Sequence, residues 1–146
     1  MASAYLYLQM AAWFEDANLP GFAHWMKVQF GEEQEHAMKF FEYILDQGGK
    51  VELKAIPAPE AKFASPKEIF EKTLAHEKLV TSLILKIYEA AKAQNDVATE
   101  IFLQWFISEQ VEEEKNAASI LDLLEKVGSS MGALYQLDHN LGKRDE

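Results

Sequence analysis

Apolar residues recur at helical spacing along almost the whole chain, and the recurrence breaks at only four places. A chain so rarely interrupted has to become a few long helices. The first break, Asn18-Leu19-Pro20-Gly21, is a short turn between segments of residues 2–17 and 21–47. A connection that short makes its two helices antiparallel neighbours. The second break runs over residues 48–65, from Gly48-Gly49 through Pro57 and Pro59 to Ser65, which caps a helix whose first position is Pro66. That span can carry the chain along a whole bundle. Asn95-Asp96 separates helices of residues 66–94 and 97–126, and Gly128-Ser129-Ser130 precedes a short final helix near 131–141. The reading is all-α, one domain over residues 1–146: a four-helix bundle with one long crossover connection and a short fifth C-terminal helix.

Composition agrees. With 49% apolar residues but only seven glycines and four prolines in 146 residues, neither a disordered chain nor a many-stranded sandwich fits, and the length suits one domain with a real core. Acidic side chains outnumber basic ones 24 to 14, a net charge of -10, so neither nucleic acid nor an anionic membrane is the expected partner. Cations are. The absence of cysteine removes disulfides, thiolate zinc sites and cysteine nucleophiles together. No signal peptide or 18-residue apolar span is recognisable, so the expected compartment is cytoplasmic.

The informative residues are carboxylates on the apolar stripes. At about 100° of turn per residue, Phe22, Met26, Phe40 and Ile44 of the second helix project within about 20° of Glu33, with Ala37 near 40°. His36, about 60° to one side, can converge with Glu33 on a common point. In the third helix, Phe70, Ile84 and Tyr88 lie within about 20° of Glu77. In the fourth, Phe102, Phe106, Ile120 and Leu124 bracket Glu113 as closely, with Glu109 about 40° and Gln110 about 60° away.

One glutamate on an apolar stripe is ordinarily a snorkelling side chain. Three helices out of three need another explanation, because an ionised carboxylate in a dry core is strongly disfavoured unless it is paired. No Lys or Arg lies on these stripes, and His36 is the one candidate cation there. Two divalent metals would offset several carboxylates at once, and oxygen donors with one imidazole suit iron or manganese better than structural zinc. Blander roles fit the neighbours: Glu112, Glu114 and Glu32 read as solvated faces, and His76 as a surface or interface histidine. His24 and His139 belong to no constellation, Trp25 and Trp105 are packing residues, and Tyr7 shares a core stripe with Ala11 and Phe14.

Taken together, Tyr5-Leu6-Tyr7-Leu8, Glu32-Glu33-Gln34-Glu35-His36-Ala37, His76-Glu77, Leu103-Gln104-Trp105-Phe106 and Ser108-Glu109-Gln110-Val111-Glu112-Glu113-Glu114 resemble the ferritin family, in particular the non-haem ferritins of bacteria and archaea. The resemblance extends over essentially the whole chain. It implies an iron-storage protein and ferroxidase, a homo-oligomer that is normally a shell of 24 identical subunits, binding two irons per subunit with a third beside them. Glu33 would bridge the two irons, His36 would complete the first site, and Glu77 with Glu113 would hold the second. Glu32, Glu109 and Glu112 match positions of the third site. Gln110 would sit near the pair, and Tyr7 would hydrogen-bond or supply an electron during oxidation. The fourth helix has no His three residues after Glu109 or Glu113, so the double Glu-x-x-His of bacterioferritin and rubrerythrin is absent.

One departure follows from lengths. At about 1.5 Å per residue the second, third and fourth helices run roughly 40 Å and the first only about 25 Å. The family's first helix has a glutamate one heptad before Tyr7, which falls before Met1. The first helix is thus expected to be truncated, leaving the first iron with Glu33, His36 and solvent. The alternative reading is a shortened variant that folds and assembles but oxidises iron poorly or not at all. A rubrerythrin-like peroxidase is the third reading.

Overall fold

The computed structural model describes residues 1–144, and among them there are five helices and no strand. These are α1 (Ala2–Asp16), α2 (Pro20–Asp46), α3 (Pro66–Ala93), α4 (Val97–Val127) and α5 (Met131–Leu141). Two compact units can be described, one holding α1, α2, the chain up to Phe63 and α5, the other holding α3 and α4.

In the first unit α1 folds back along α2 through a turn in which Asn18 adopts φ 54°, a left-handed conformation that asparagine tolerates. The pair is sealed by Tyr7, Met10, Ala11 and Phe14 on one side and Phe22, Ala23 and Met26 on the other, all buried. Phe14 and Phe22 stack with ring centroids 4.9 Å apart. Burial along α2 ends near Glu33. Phe40 is only half-buried and Ile44 is 38% exposed, although both share the stripe centred on Glu33. The reason is reach. The fifteen residues of α1 cover the first half of the 27-residue α2, and Met1 and Tyr5 already stand beside Phe30.

Residues 47–65 contain no helix or strand and run lengthwise along this pair. They leave the far end of α2 through Gly48 at φ 73°, pass Met1, Tyr5 and Phe30 at Lys54 and Ile56, and reach Trp13 at Phe63. There the Trp13 Nε1–H donates to the Phe63 carbonyl at 3.1 Å, and the two rings meet edge to face. This is the long crossover expected from the break at residues 48–65.

The start of α2 has no side-chain cap of its own, because Leu19 occupies the cap position. Asp138 of α5 supplies one, its carboxylate accepting from the Phe22 backbone N–H at 2.9 Å. The approach is so close that a Cβ on Gly21 would lie 1.7 Å from the Asp138 carbonyl oxygen. Only glycine fits there.

In the second unit α3 begins at a reciprocal cap. Ser65 Oγ accepts from Glu68 N, and the Glu68 carboxylate accepts from Ala64 N. α4 begins at Asp96, which accepts from Thr99 N, after Asn95 has turned the chain at φ 56°. Ile69, Phe70, Ile84, Leu103, Phe106, Ile120 and Leu124 are buried apolar residues of these two helices.

Candidate metal centre

The three stripe-centre carboxylates are all buried: Glu33 is 8% exposed, Glu113 7% and Glu77 0%. They are among the few buried acidic side chains. Ionised carboxylates at such positions need hydrogen bonds or cations to offset lost hydration.

Around Glu77 the local partners are explicit. Gln110 of α4 turns its Nε2 toward α3, donating to the Glu77 carboxylate Oε2 at 3.1 Å and to the Glu77 backbone carbonyl at 3.1 Å. The same nitrogen lies 3.3 Å from Thr81 Oγ1, one turn further along α3. Thr81 in turn donates to Glu114 Oε1 at 2.6 Å. Gln110 and Glu77, both singled out from the sequence, are therefore joined directly. Glu114 was expected on a solvated face; it is half-buried because Thr81 draws it inward. No motif marks Thr81 in the sequence, although it follows Glu77, and Glu114 follows Gln110, at the four-residue spacing that keeps side chains on one face.

His76, beside Glu77, is half-buried, and burial pushes its imidazole below the usual histidine value. Glu109 is half-buried and Glu112 exposed.

On α2, His36 is half-buried, and burial followed by the charge of Lys39 lowers its pKa from 6.5. That keeps the ring neutral near pH 7, the form able to ligate a metal. Tyr7 is wholly buried on α1. Glu32 is not an open carboxylate: it accepts from Arg144 Nη2 at 2.6 Å, while Arg144 Nη1 donates to Gln29 and the guanidinium sits 4.8 Å from the Trp25 ring centroid. His24 Nε2 contacts the Arg144 carbonyl at 2.8 Å. Arg144 lies more than a hundred residues from these partners, so no local pattern could reveal it.

Among the described residues, no three His, Asp or Glu side chains are already gathered as ligands of one ion. The chemistry of the donors is nevertheless consistent along the chain. Buried carboxylates and a neutral imidazole are hard and borderline ligands, suited to divalent first-row cations.

Comparison with known proteins identifies the lineage. The ferritin family, described as a ferritin-like domain, matches residues 1–127. A bacterial non-haem ferritin of Staphylococcus haemolyticus is 39% identical over 142 residues, covering 97% of this chain and 86% of its own. A probable bacterial non-haem ferritin-like protein of Haemophilus influenzae is 39% identical over 140 residues, 96% of this chain and 85% of its own. Among solved structures, an open-pore ferritin from the hyperthermophilic archaeon Archaeoglobus fulgidus superposes with a TM-score of 0.98 at 43% identity, over 99% of this chain and 90% of that one. With its all-α, ferritin-like fold and this degree of likeness, the chain belongs to the ferritin family, among its non-haem bacterial and archaeal members.

Proposed function

We propose that this protein stores iron, oxidising Fe(II) at its buried carboxylates and depositing Fe(III) as mineral inside a shell of like subunits. The observation that supports this most is the burial of Glu33, Glu77 and Glu113 at the centres of three apolar stripes in a chain of the ferritin family. The residues this reading assigns to iron are Glu33 and neutral His36 on α2, Glu77 on α3 and Glu113 on α4. Two Fe(II) ions deliver two electrons to dioxygen, which leaves as hydrogen peroxide after taking up two protons; peroxide can serve as oxidant in its place. Carboxylates suit the task because they bind both oxidation states of iron. Tyr7, buried on α1, is the candidate electron donor or hydrogen-bonding partner, and Gln110 fixes Glu77.

Glu32, Glu109 and Glu112 are assigned to a third iron. Glu32 and Glu109 are half-buried and Glu112 is exposed. Iron bound through Glu32 Oε2 competes with Arg144 for that oxygen.

Assembly into a homo-oligomer is supported by exposed apolar side chains at helical spacing: Leu79, Leu83 and Ile87 along α3 keep 45–53% of their surface, and Val97 and Ile101 on α4 keep 60% or more. A charge of -10 per subunit, multiplied in an assembly, draws cations toward it. Among the described residues no helix is long and apolar enough to cross a membrane. We place the protein in the cytoplasm, where Fe(II) is its substrate.

Aerobic addition of Fe(II) tests the oxidation step. The expected result is rapid growth of Fe(III) absorbance that Glu77→Ala abolishes while the fold is kept. A rate equal to iron autoxidation in buffer overturns the reading.

A further inference from the structure

We propose that Thr81 and Glu114 are positioning residues for the iron-oxidising site, acting through Gln110 on the carboxylate of Glu77; the inference rests on the iron-oxidising function proposed above. All four side chains lie on α3 and α4. A threonine hydroxyl has one proton to give and two lone pairs to accept with. Thr81 Oγ1 lies 2.6 Å from Glu114 Oε1 and 3.0 Å from the Glu77 backbone carbonyl. The shorter contact ends on a carboxylate, and charge-assisted hydrogen bonds are the stronger kind, so the proton goes to Glu114. Thr81 is then left as an acceptor toward the Gln110 Nε2, 3.3 Å away.

That polarity decides which way the Gln110 amide faces. Around its Nε2 stand the Thr81 oxygen, the Glu77 carbonyl oxygen and Glu77 Oε2, at 3.1 to 3.3 Å, all acceptors. Rotating the amide by half a turn would set its carbonyl oxygen against three oxygens, so the donor orientation is the stable one. Gln110 is buried, with 3% exposure, and water cannot relieve the wrong orientation. The amide therefore holds Glu77 Oε2 and sets the plane of a carboxylate that has to meet iron. Remove the Thr81 hydroxyl, or the charge of Glu114 that orients it, and the amide loses one of its three acceptors, the one that lies outside Glu77. A carboxylate held loosely binds and turns over metal less well, since a ligand site depends on the rigidity of its supporting shell.

The test uses the full-length protein and two probes, redox-inert Zn(II) titrated calorimetrically and Fe(II) oxidised in air. Thr81→Val keeps the side-chain shape and removes the hydroxyl; Thr81→Ser keeps the hydroxyl. The expected result is about tenfold weaker Zn(II) binding and about tenfold slower Fe(II) oxidation in Thr81→Val. Thr81→Ser should match the parent, and Glu114→Gln should be impaired in the same direction. Should Thr81→Val fail to fold, Glu114→Gln decides the matter. Parent-like zinc binding and oxidation in Thr81→Val and Glu114→Gln overturn the proposal, as does an equal loss in Thr81→Val and Thr81→Ser, which would make the effect one of packing. If the parent itself oxidises iron no faster than buffer, the functional reading fails separately, and the zinc isotherms still show whether Thr81 positions Glu77.

Discussion

Gly21 shows how much a single position can constrain. A methyl group there would meet the Asp138 backbone, which cannot rotate away, so Gly21→Ala has to push α5 off α2. Overpacking of this kind costs about 1–3 kcal/mol, which thermal unfolding will register as a lowered midpoint. Gly31, also within α2, has nothing near its would-be Cβ, and Gly31→Ala should leave the midpoint unchanged or raise it. Other residues differ in how far the sequence exposes their roles. Glu33, Glu77 and Glu113 are legible because a carboxylate at the centre of an apolar stripe contradicts the stripe. Thr81 contradicts nothing, being equally at home on a core face or a solvent face. Glu114 is hidden by its neighbours, since Glu112-Glu113-Glu114 reads as an acidic run in which only phase separates the buried member from the others. Phe40 and Ile44 share the phase of Glu33 yet stay partly exposed, since phase names a face without saying what lies opposite.

Among helices, the caps written in local sequence are the ones that could be read. Ser65, Asp96 and Ser130 all accept a backbone N–H three residues on, and all stand just before a helical apolar pattern. α2 is different, because its capping group arrives from Asp138, more than a hundred residues away. A carboxylate at that N-terminus satisfies an otherwise orphaned N–H and faces the positive end of the helix dipole. Replacing it by alanine leaves both unmet, so Asp138→Ala should cost about 1–2 kcal/mol, read as a reduced denaturation midpoint with helical content preserved below it. Together with the contacts of Arg144 to Gln29 and Glu32, this makes α5 and the residues after it a clasp on α2. Neither partner set is visible to a reading that works one helix at a time.

At the scale of the molecule, His36 and His76 give stability a pH dependence. Burial lowers both pKa values in the folded protein from 6.5, so the unfolded chain takes up protons first as pH falls. Their contribution is fully present above pH 6.5 and is lost as the pH drops below it toward the lowered native values. Denaturant unfolding followed from pH 8 downward should show this decline, and replacing both histidines by glutamine should flatten it. The fold class was legible at this scale because few breaks and long periodic segments leave little freedom, and the position of the crossover followed from one proline-rich stretch. Assembly could be expected only through the family resemblance, since no pattern within one chain shows surfaces meeting copies of themselves. The central claim joins the buried carboxylates to storage, and one measurement reaches both: iron per chain, determined together with particle mass, after aerobic loading with excess Fe(II). The expected result is a large oligomer that retains iron far beyond what a few carboxylates per chain can ligate, with retention lost in Glu77→Ala. A small particle, or iron that precipitates outside the protein at the same rate with and without Glu77, would contradict it.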